Sequence, residues 1–109
     1  MITWDDFKKV EMRVGTIVQV DDFPQARNPS YKLLIDFGES GIKRSSAQIT
    51  ELYQKEELLN RQVIAVTNLH PKQIASFISE CLVLGVVLDN KEVVLLQPER
   101  EVPNGTRIA

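Results

Sequence analysis

Residues 10–20 read VEMRVGTIVQV, an alternation long enough to set the fold of the chain. One side of this alternation is apolar or small and consists of Val10, Met12, Val14, Thr16, Val18 and Val20. The other side is mostly polar, with Ile17 as the exception. A period of two predicts a long, half-buried β-strand. Gly15 inside it predicts a bulge or a sharp bend, which small closed barrels need in their long strands.

Further strands follow along the chain. Apolar residues at every second position of 31–37 predict a second strand, and residues 42–45 predict a third. Residues 47–62 change period and predict one or two short helical turns. Later strands are predicted at 63–69, 81–88 and 93–97, with an exposed connection at 70–79. The pattern predicts a mostly β fold, a five-stranded OB-type barrel, with an SH3-like barrel or a small sandwich as the alternatives.

A short helix is predicted before the first strand. Thr3 and Asp6 have the spacing of a capping box, which starts a helix over Trp4–Lys9. Trp4 and Phe7 are three residues apart and therefore share one face. So short a helix is unstable alone. Its aromatic face must pack on its own barrel or on another subunit.

Composition restricts the class of protein. The 109 residues suit a single domain, 1–109, and 13 Lys and Arg against 15 Asp and Glu give a net charge of −2. This is not the strongly basic balance of a dedicated duplex binder, so any RNA contact must come from a local patch. The single cysteine permits no internal disulfide, and no apolar run is long enough for membrane insertion. A cytoplasmic protein is expected.

The first candidate site is KRSSAQIT, residues 43–50. Lys43 and Arg44 can attract phosphate, while Ser45, Ser46 and Gln48 offer short hydrogen bonds to a ligand backbone. A plain solvated strand end has the same composition. The second candidate is the connection after Asn68, which carries an apolar trio. If that trio is exposed it forms a binding patch, and otherwise it is core. The trio is Leu69, Ile74 and Phe77.

The sequence offers little support for a catalytic site or a metal site. His70 is the only histidine, whereas a zinc site needs about four ligands. Cys81 is expected to be a small core residue. No glycine-rich phosphate loop or paired carboxylates stand out. We therefore expect neither an enzyme nor a cofactor.

An ordered set of motifs resembles the tRNA-binding domain family over essentially the whole chain. The set is VEMRVGTIV (10–18), FPQAR (23–27), YKLLIDFG (31–38), KRSSAQI (43–49), VIAVTNLHP (63–71) and LVLG (82–85). KRSSAQIT and the ending LLQPEREVPNGTRI look most like the CsaA-type export chaperones within that family.

The resemblance implies an OB fold whose terminal elements, 1–9 and 93–109, build a homodimer. Trp4 and Phe7 would then lie at the dimer interface. It implies tRNA binding in some members. In the CsaA-type members it implies binding of unfolded or precursor polypeptides, which are passed to the secretion machinery.

Two departures from the family pattern favour the chaperone. Phe23 stands where the tRNA-binding members usually have histidine, and Ile74-Ala75-Ser76 replaces methionine–arginine–glycine. The second change removes a cation and a flexible glycine from a loop expected to face RNA. Both changes make the surface more apolar.

Two sets of site residues follow. Polypeptide binding is predicted at Phe23, Ile49, Leu69, Ile74, Phe77, Ser45, Ser46, Gln48 and Asn68. The alternative function, tRNA binding, is predicted at Arg27, Lys43, Arg44, Ser45, Ser46, Asn68, Lys72 and Ser79.

Overall fold

A computed structural model describes all residues, 1–109. It has two short α-helices, a 3-10 turn and ten strands. In chain order they are α1 (Trp4–Lys8), β1 (Met12–Asp22), β2 (Tyr31–Asp36), the 3-10 turn (Gly38–Ser40), β3 (Ile42–Ala47), α2 (Lys55–Leu58), β4 (Gln62–Val66), β5 (Lys72–Ile74), β6 (Phe77–Ser79), β7 (Leu82–Val83), β8 (Gly85–Val87), β9 (Val93–Leu95) and β10 (Arg107–Ile108).

The main sheet is antiparallel and runs in the order β3-β2-β1-β4-β7, with β10 also paired to β1. The two edge strands of this sheet, β3 and β7, approach each other, and the residues between β6 and β7 bond to β3. The backbone N–H of Glu80 donates to the Arg44 carbonyl at 2.7 Å, and the Ser46 N–H donates to Ser79 Oγ at 3.1 Å. The sheet is therefore a nearly closed barrel, and the predicted mostly β, OB-like fold is confirmed.

The sequence predicted a bulge or a bend at Gly15 of the first strand. The irregularity of β1 lies instead after Ile17. The register between β1 and β2 shifts between Ile17 and Gln19. Before the shift Gly15 and Ile17 face the core and Ile17 is fully buried, Val18 at the shift is 40% exposed, and Val20 beyond it packs against the core. Gly15 is needed for close packing instead, because a Cβ there would lie 2.6 Å from Ile35 Cγ2.

The core fills the barrel with the inward face of β2 and its neighbours. Phe37, Ile17, Leu33, Ile35 and Leu58 are almost completely buried. Leu58 comes from α2, which is a single turn inside the segment 47–62 that was predicted to be helical. Cys81 also lies in this core, and burial raises the pKa of its thiol to about 11.

Residues 70–79 were predicted as an exposed connection, but most of them form a hairpin. Strands β5 and β6 pair antiparallel, with Lys72 opposite Ser79 and Ile74 opposite Phe77. The turn at Ala75 has a φ of +52°, a left-handed value that is uncommon for a residue with a Cβ. The sequence signal was weak because each strand is only three residues long.

Both terminal segments are bonded to the barrel. The predicted capping box of α1 is present, with the Asp6 N–H donating to Thr3 Oγ1 at 3.1 Å. At the other end of the chain, Arg13 Nη1 donates to the Gly105 carbonyl at 2.7 Å, and β10 extends the sheet. Neither helix is long and apolar enough to cross a membrane.

Candidate functional site

One surface depression, which we call the apolar cleft, has a volume of about 510 Å³ and lies between the end of β3, the β5–β6 hairpin and strands β7 to β9. Ten of its 17 lining residues are hydrophobic. Several of these are open to solvent, since Leu69 is 50% exposed, Leu82 49% and Val87 68%. The cleft thus presents apolar surface that is exposed to solvent. The hydrophobic lining is Ala47, Ile49, Leu69, Ile74, Cys81, Leu82, Val83, Leu84, Val87 and Val93.

A second depression, which we call the polar cleft, adjoins the first and has a volume of about 630 Å³. It lies between the loop that joins β1 to β2 and the β5–β6 hairpin, above the end of β3. Arg27 and Lys72 line it, and no carboxylate does. In OB barrels this position, between the first loop and the loop after the fourth strand, is where oligonucleotides bind.

The two clefts are separated by a wall that we call the ridge. It consists of Ser46 from β3, Gln48 just after β3, and Lys72 and Ile74 from β5, and all four residues line both clefts. Residues far apart in the chain thus meet at one line on the surface.

The two cations of KRSSAQIT do not form one patch, because neighbouring residues of a strand point to opposite faces. Lys43 lies on the same face as Ser45 and Ala47, which are buried, whereas Arg44 lies outward with Ser46. Arg44 is also engaged, since its Nε lies 3.3 Å from Glu80 Oε1. The backbone N–H of Arg44 donates to the same oxygen at 2.9 Å, and this bond is the main reason that the pKa of Glu80 is lowered.

Two predicted apolar contact residues, Phe23 and Phe77, lie outside both clefts. Their rings pack edge to face, with centroids 5.4 Å apart. The guanidinium of Arg44 covers Phe77 at 6.0 Å, and Lys32 Nζ lies 5.5 Å from the Phe23 ring centre. Phe23 is only 5% exposed, so its ring fastens the β1–β2 loop to the hairpin and is not available to a ligand.

Ser45 is completely buried, and its hydroxyl donates to the Cys81 carbonyl at 2.9 Å. It ties β3 to the segment before β7. The predicted role of Ser45 in binding a ligand is therefore corrected: its hydroxyl is used inside the fold. Ser79 lines the apolar cleft, but its hydroxyl oxygen already accepts from the Ser46 N–H.

Asn68 is exposed, yet both ends of its side-chain amide are used by the chain itself. Nδ2 donates to the Lys9 carbonyl at 2.7 Å, and the Glu11 N–H donates to Oδ1 at 2.9 Å. Asn68 lies outside both clefts and holds the C-terminal end of α1. Its binding role stays a prediction.

The clefts gather a part of each predicted set. Ser46, Gln48, Ile49, Leu69 and Ile74 of the polypeptide set line the apolar cleft, with Ile49 only 4% exposed at its wall. From the RNA set, the polar cleft gathers Arg27, Lys72 and Ser46. The sequence reasoning missed Leu82, Leu84, Val87 and Val93. For the first three the signal was the run 82–88, which has no polar residue at alternate positions and so leaves one apolar face outside the barrel.

A second apolar surface lies at the N-terminus. Ile2, Trp4, Phe7 and Ala109 surround a depression of about 690 Å³. Trp4 is 85% exposed and no residue of α1 is buried. The aromatic face of the helix therefore does not pack on its own barrel. We call this surface the N-terminal patch.

No group of three or more His, Cys, Asp or Glu side chains is placed to hold a metal ion. Neither cleft contains a nucleophile activated by a neighbouring base. The apolar cleft carries Cys81, but burial raises the pKa of that thiol and keeps it protonated.

A family model described as "Putative tRNA binding domain" matches residues 12–107. Among curated proteins, the methionine–tRNA ligase of Pyrococcus abyssi is 36% identical over 107 residues, which cover 98% of this chain but 14% of that enzyme. The chain thus spans about a seventh of the length of such relatives.

Two solved structures resemble the whole chain. One is the chaperone CsaA from Bacillus anthracis, with a TM-score of 0.96 and 50% identity over 100% of this chain and 99% of that one. The other is the CsaA chaperone protein from Picrophilus torridus, with a TM-score of 0.93 and 54% identity over 100% of both chains.

Proposed function

This chain belongs to the tRNA-binding domain family, and we propose that within it the protein is a chaperone of the CsaA type, which holds unfolded polypeptides in the apolar cleft. The observation that carries the proposal is the cleft itself. Val87, Leu69 and Leu82 leave apolar surface open to water, and a monomer gains nothing from such a concave patch. Covering it with an apolar client segment releases that surface from water.

The shape of the cleft suits clients of varied sequence. Its floor offers many aliphatic contacts and few directional groups, so that affinity depends on buried area and not on one matched side chain. Ser46 and Gln48 at the ridge supply hydrogen bonds for the client backbone. The two solved CsaA chaperones, each at least 50% identical, support the same function. We propose precursor polypeptides as clients, bound in the cytoplasm and passed to the secretion machinery.

The test uses two neighbouring valines of β8. Val87 lines the apolar cleft, whereas Val86 is 50% exposed on the opposite face of the strand. A Val87→Ser variant should bind a fluorescein-labelled apolar peptide about tenfold more weakly, since it loses roughly 1.5 kcal/mol of apolar burial. Val86→Ser should stay within about twofold.

Fluorescence anisotropy gives the affinities, and suppression of aggregation of a diluted, denatured client gives the activity. Equal effects of both substitutions would place the client elsewhere. Absence of peptide binding by the unaltered protein would refute the chaperone proposal.

We also propose that two copies associate through the N-terminal patch. Trp4 and Ile2 are 85% and 73% exposed, and α1 is too short to be stable without a partner surface. A twofold dimer is the commonest assembly and would cover both helices at once.

Sedimentation equilibrium checks the dimer. Trp4→Ser should weaken the dimer at least tenfold. Leu59→Ser, at a residue 47% exposed and away from the patch, should leave it unchanged. A Trp4→Ser protein that sediments like the unaltered dimer would contradict this interface.

A second function is favoured by the polar cleft, namely tRNA binding. Arg27 and Lys72 face a cleft without a carboxylate, so a phosphate backbone meets two cations and no repulsion there. The remaining predicted cations are less suitable, because Arg44 is paired with Glu80 and Lys43 faces inward.

Titration of labelled bulk tRNA at several salt concentrations tests this function. Binding should weaken with salt, and Arg27→Gln should reduce the slope of log K against log salt by about one. Arg100→Gln is the control, since Arg100 is paired with Glu99 and lies outside the polar cleft. No binding at low salt, or a salt slope that Arg27→Gln leaves unchanged, would remove the polar cleft as an RNA site.

A further inference from the structure

We propose that an RNA in the polar cleft and a polypeptide in the apolar cleft exclude each other, an inference that rests on the proposed functions of both clefts. The two clefts share the four residues of the ridge. Either ligand must use this ridge, so the protein holds one kind of ligand at a time.

The apolar cleft has few other groups for a client backbone. Among its polar lining residues, Ser79 Oγ accepts from the Ser46 N–H, and Glu80 Oε1 accepts from the Arg44 N–H. The side chains of Ser46, Gln48 and Lys72 remain for the client, together with His70. Three of these four belong to the ridge.

The polar cleft depends on the same ridge for half of its positive charge. Arg27 and Lys72 are its two cations, and Lys72 is a ridge residue. A phosphate that attracts Lys72 withdraws it from the apolar cleft, and a client that covers Lys72 leaves Arg27 alone. Glu80 lines the apolar cleft, so a polyanion cannot relieve the conflict by moving across the ridge.

The ridge cannot widen easily to accept both ligands. The Ser46 N–H donates to Ser79 Oγ at 3.1 Å, and Ser79 pairs with Lys72 across the hairpin. Both halves of the ridge are thus tied to the same short strand. The edge-to-face pair of Phe23 and Phe77 fixes the hairpin from the other side.

The experiment measures the apparent Kd of the labelled apolar peptide at increasing concentrations of bulk tRNA in low salt. For mutually exclusive binding, tRNA at about ten times its own Kd should raise the apparent peptide Kd about 11-fold, without a plateau at higher tRNA. The reverse titration should give the same coupling, because linkage is reciprocal.

Two variants separate the clefts. Arg27→Gln touches only the polar cleft, so more tRNA should be needed for the same displacement, in proportion to its weaker tRNA binding, while the peptide Kd without tRNA is unchanged. Val87→Ser touches only the apolar cleft, so tRNA affinity should be unchanged.

Two results overturn the inference while leaving the proposed functions intact. One is an unchanged peptide Kd when tRNA is saturating. The other is a plateau, which shows a complex that holds both ligands. Failure of either ligand to bind alone would instead refute the corresponding proposed function, and this inference with it.

Discussion

The barrel interior and the N-terminal helix both contain large aromatic side chains, but their environments are opposite. Phe37 is completely buried, whereas Trp4 is 85% exposed. The interior is closed because β1, β2 and β4 all present buried apolar residues to it. Helix α1 has five residues and presents an apolar face to solvent. Apolar residues that the barrel does not enclose therefore remain exposed to solvent, and these are the residues for which we propose partners.

The hydrogen bonds show the same contrast. In the interior, no buried side-chain nitrogen or oxygen lacks a partner, and Ser45 bonds the Cys81 carbonyl. Around α1, the bonds fix the position of the helix but leave its outer face open. Asn68 bonds Lys9 and Glu11, and Arg107 Nη2 donates to the Lys8 carbonyl at 3.1 Å. The helix is thus held in place with its aromatic face exposed.

The largest difference between the two regions should appear when each loses its aromatic ring. Phe37→Ala should lower the free energy of unfolding by about 3–5 kcal/mol, because it leaves a cavity in a closed core. Trp4→Ala should change it by less than about 0.5 kcal/mol in the monomer. Urea denaturation at a concentration below the dimer Kd measures both. Similar losses would mean that α1 is part of the folding core.

The tightness of the interior can be tested from the other direction, by adding one methyl group. Gly15→Ala places a Cβ 2.6 Å from Ile35 Cγ2 and 2.7 Å from Phe37 Cε1, so it should cost about 1–3 kcal/mol. The double variant Gly15→Ala, Phe37→Leu should lose less unfolding free energy than the sum of the losses in the two single variants, because both changes act on the same contact. If the losses of unfolding free energy simply add, the Cβ introduced at position 15 does not clash with Phe37.

The attachment of α1 should be weaker than any core contact. Asn68→Ala removes two hydrogen bonds and should cost about 1–2 kcal/mol, confined to the helix. Amide exchange should then become faster at residues 4–11, while protection in β2 stays the same. Faster exchange throughout the barrel would assign Asn68 to the global fold.

The smallest effect is expected at Glu80, which bonds Arg44 where the two edges of the sheet meet. Its pKa is lowered, chiefly by the hydrogen bond from the Arg44 N–H, so its charge stabilises the fold above the usual glutamate pKa. This contribution should be lost as the pH falls through the lowered pKa. Because the carboxylate is partly exposed, it should stay below about 1 kcal/mol. Denaturation between pH 3 and pH 7 should show a shallower acid loss in Glu80→Gln, and identical profiles would contradict this.

Sequence patterns predicted most of the fold because they reflect local geometry. The alternation in 31–37 gave a strand whose inward side chains are all buried, and Thr3 with Asp6 gave the start of α1. The same reasoning failed where one residue changes the register. The shift after Ile17 reversed the buried face of β1, and Ala75 closed a hairpin where a loop was expected.

The candidate site was less predictable. The stretch 43–50 was predicted to be a candidate site, and its side chains have different environments. Ser46 and Gln48 line both clefts, while Ser45 is buried. In a strand the residue next to an exposed one faces inward, so the polar composition of the stretch concealed two separate environments.

The sequence by itself determined the long strands of the barrel and the apolar character of their inward faces. The tertiary structure decided which polar groups remain free. Ser45 and Cys81 are 36 residues apart, and Glu11 and Asn68 are 57 apart, yet each pair is joined by a hydrogen bond. Local patterns specify the direction of a side chain, but its partner depends on barrel closure, which brings distant segments together.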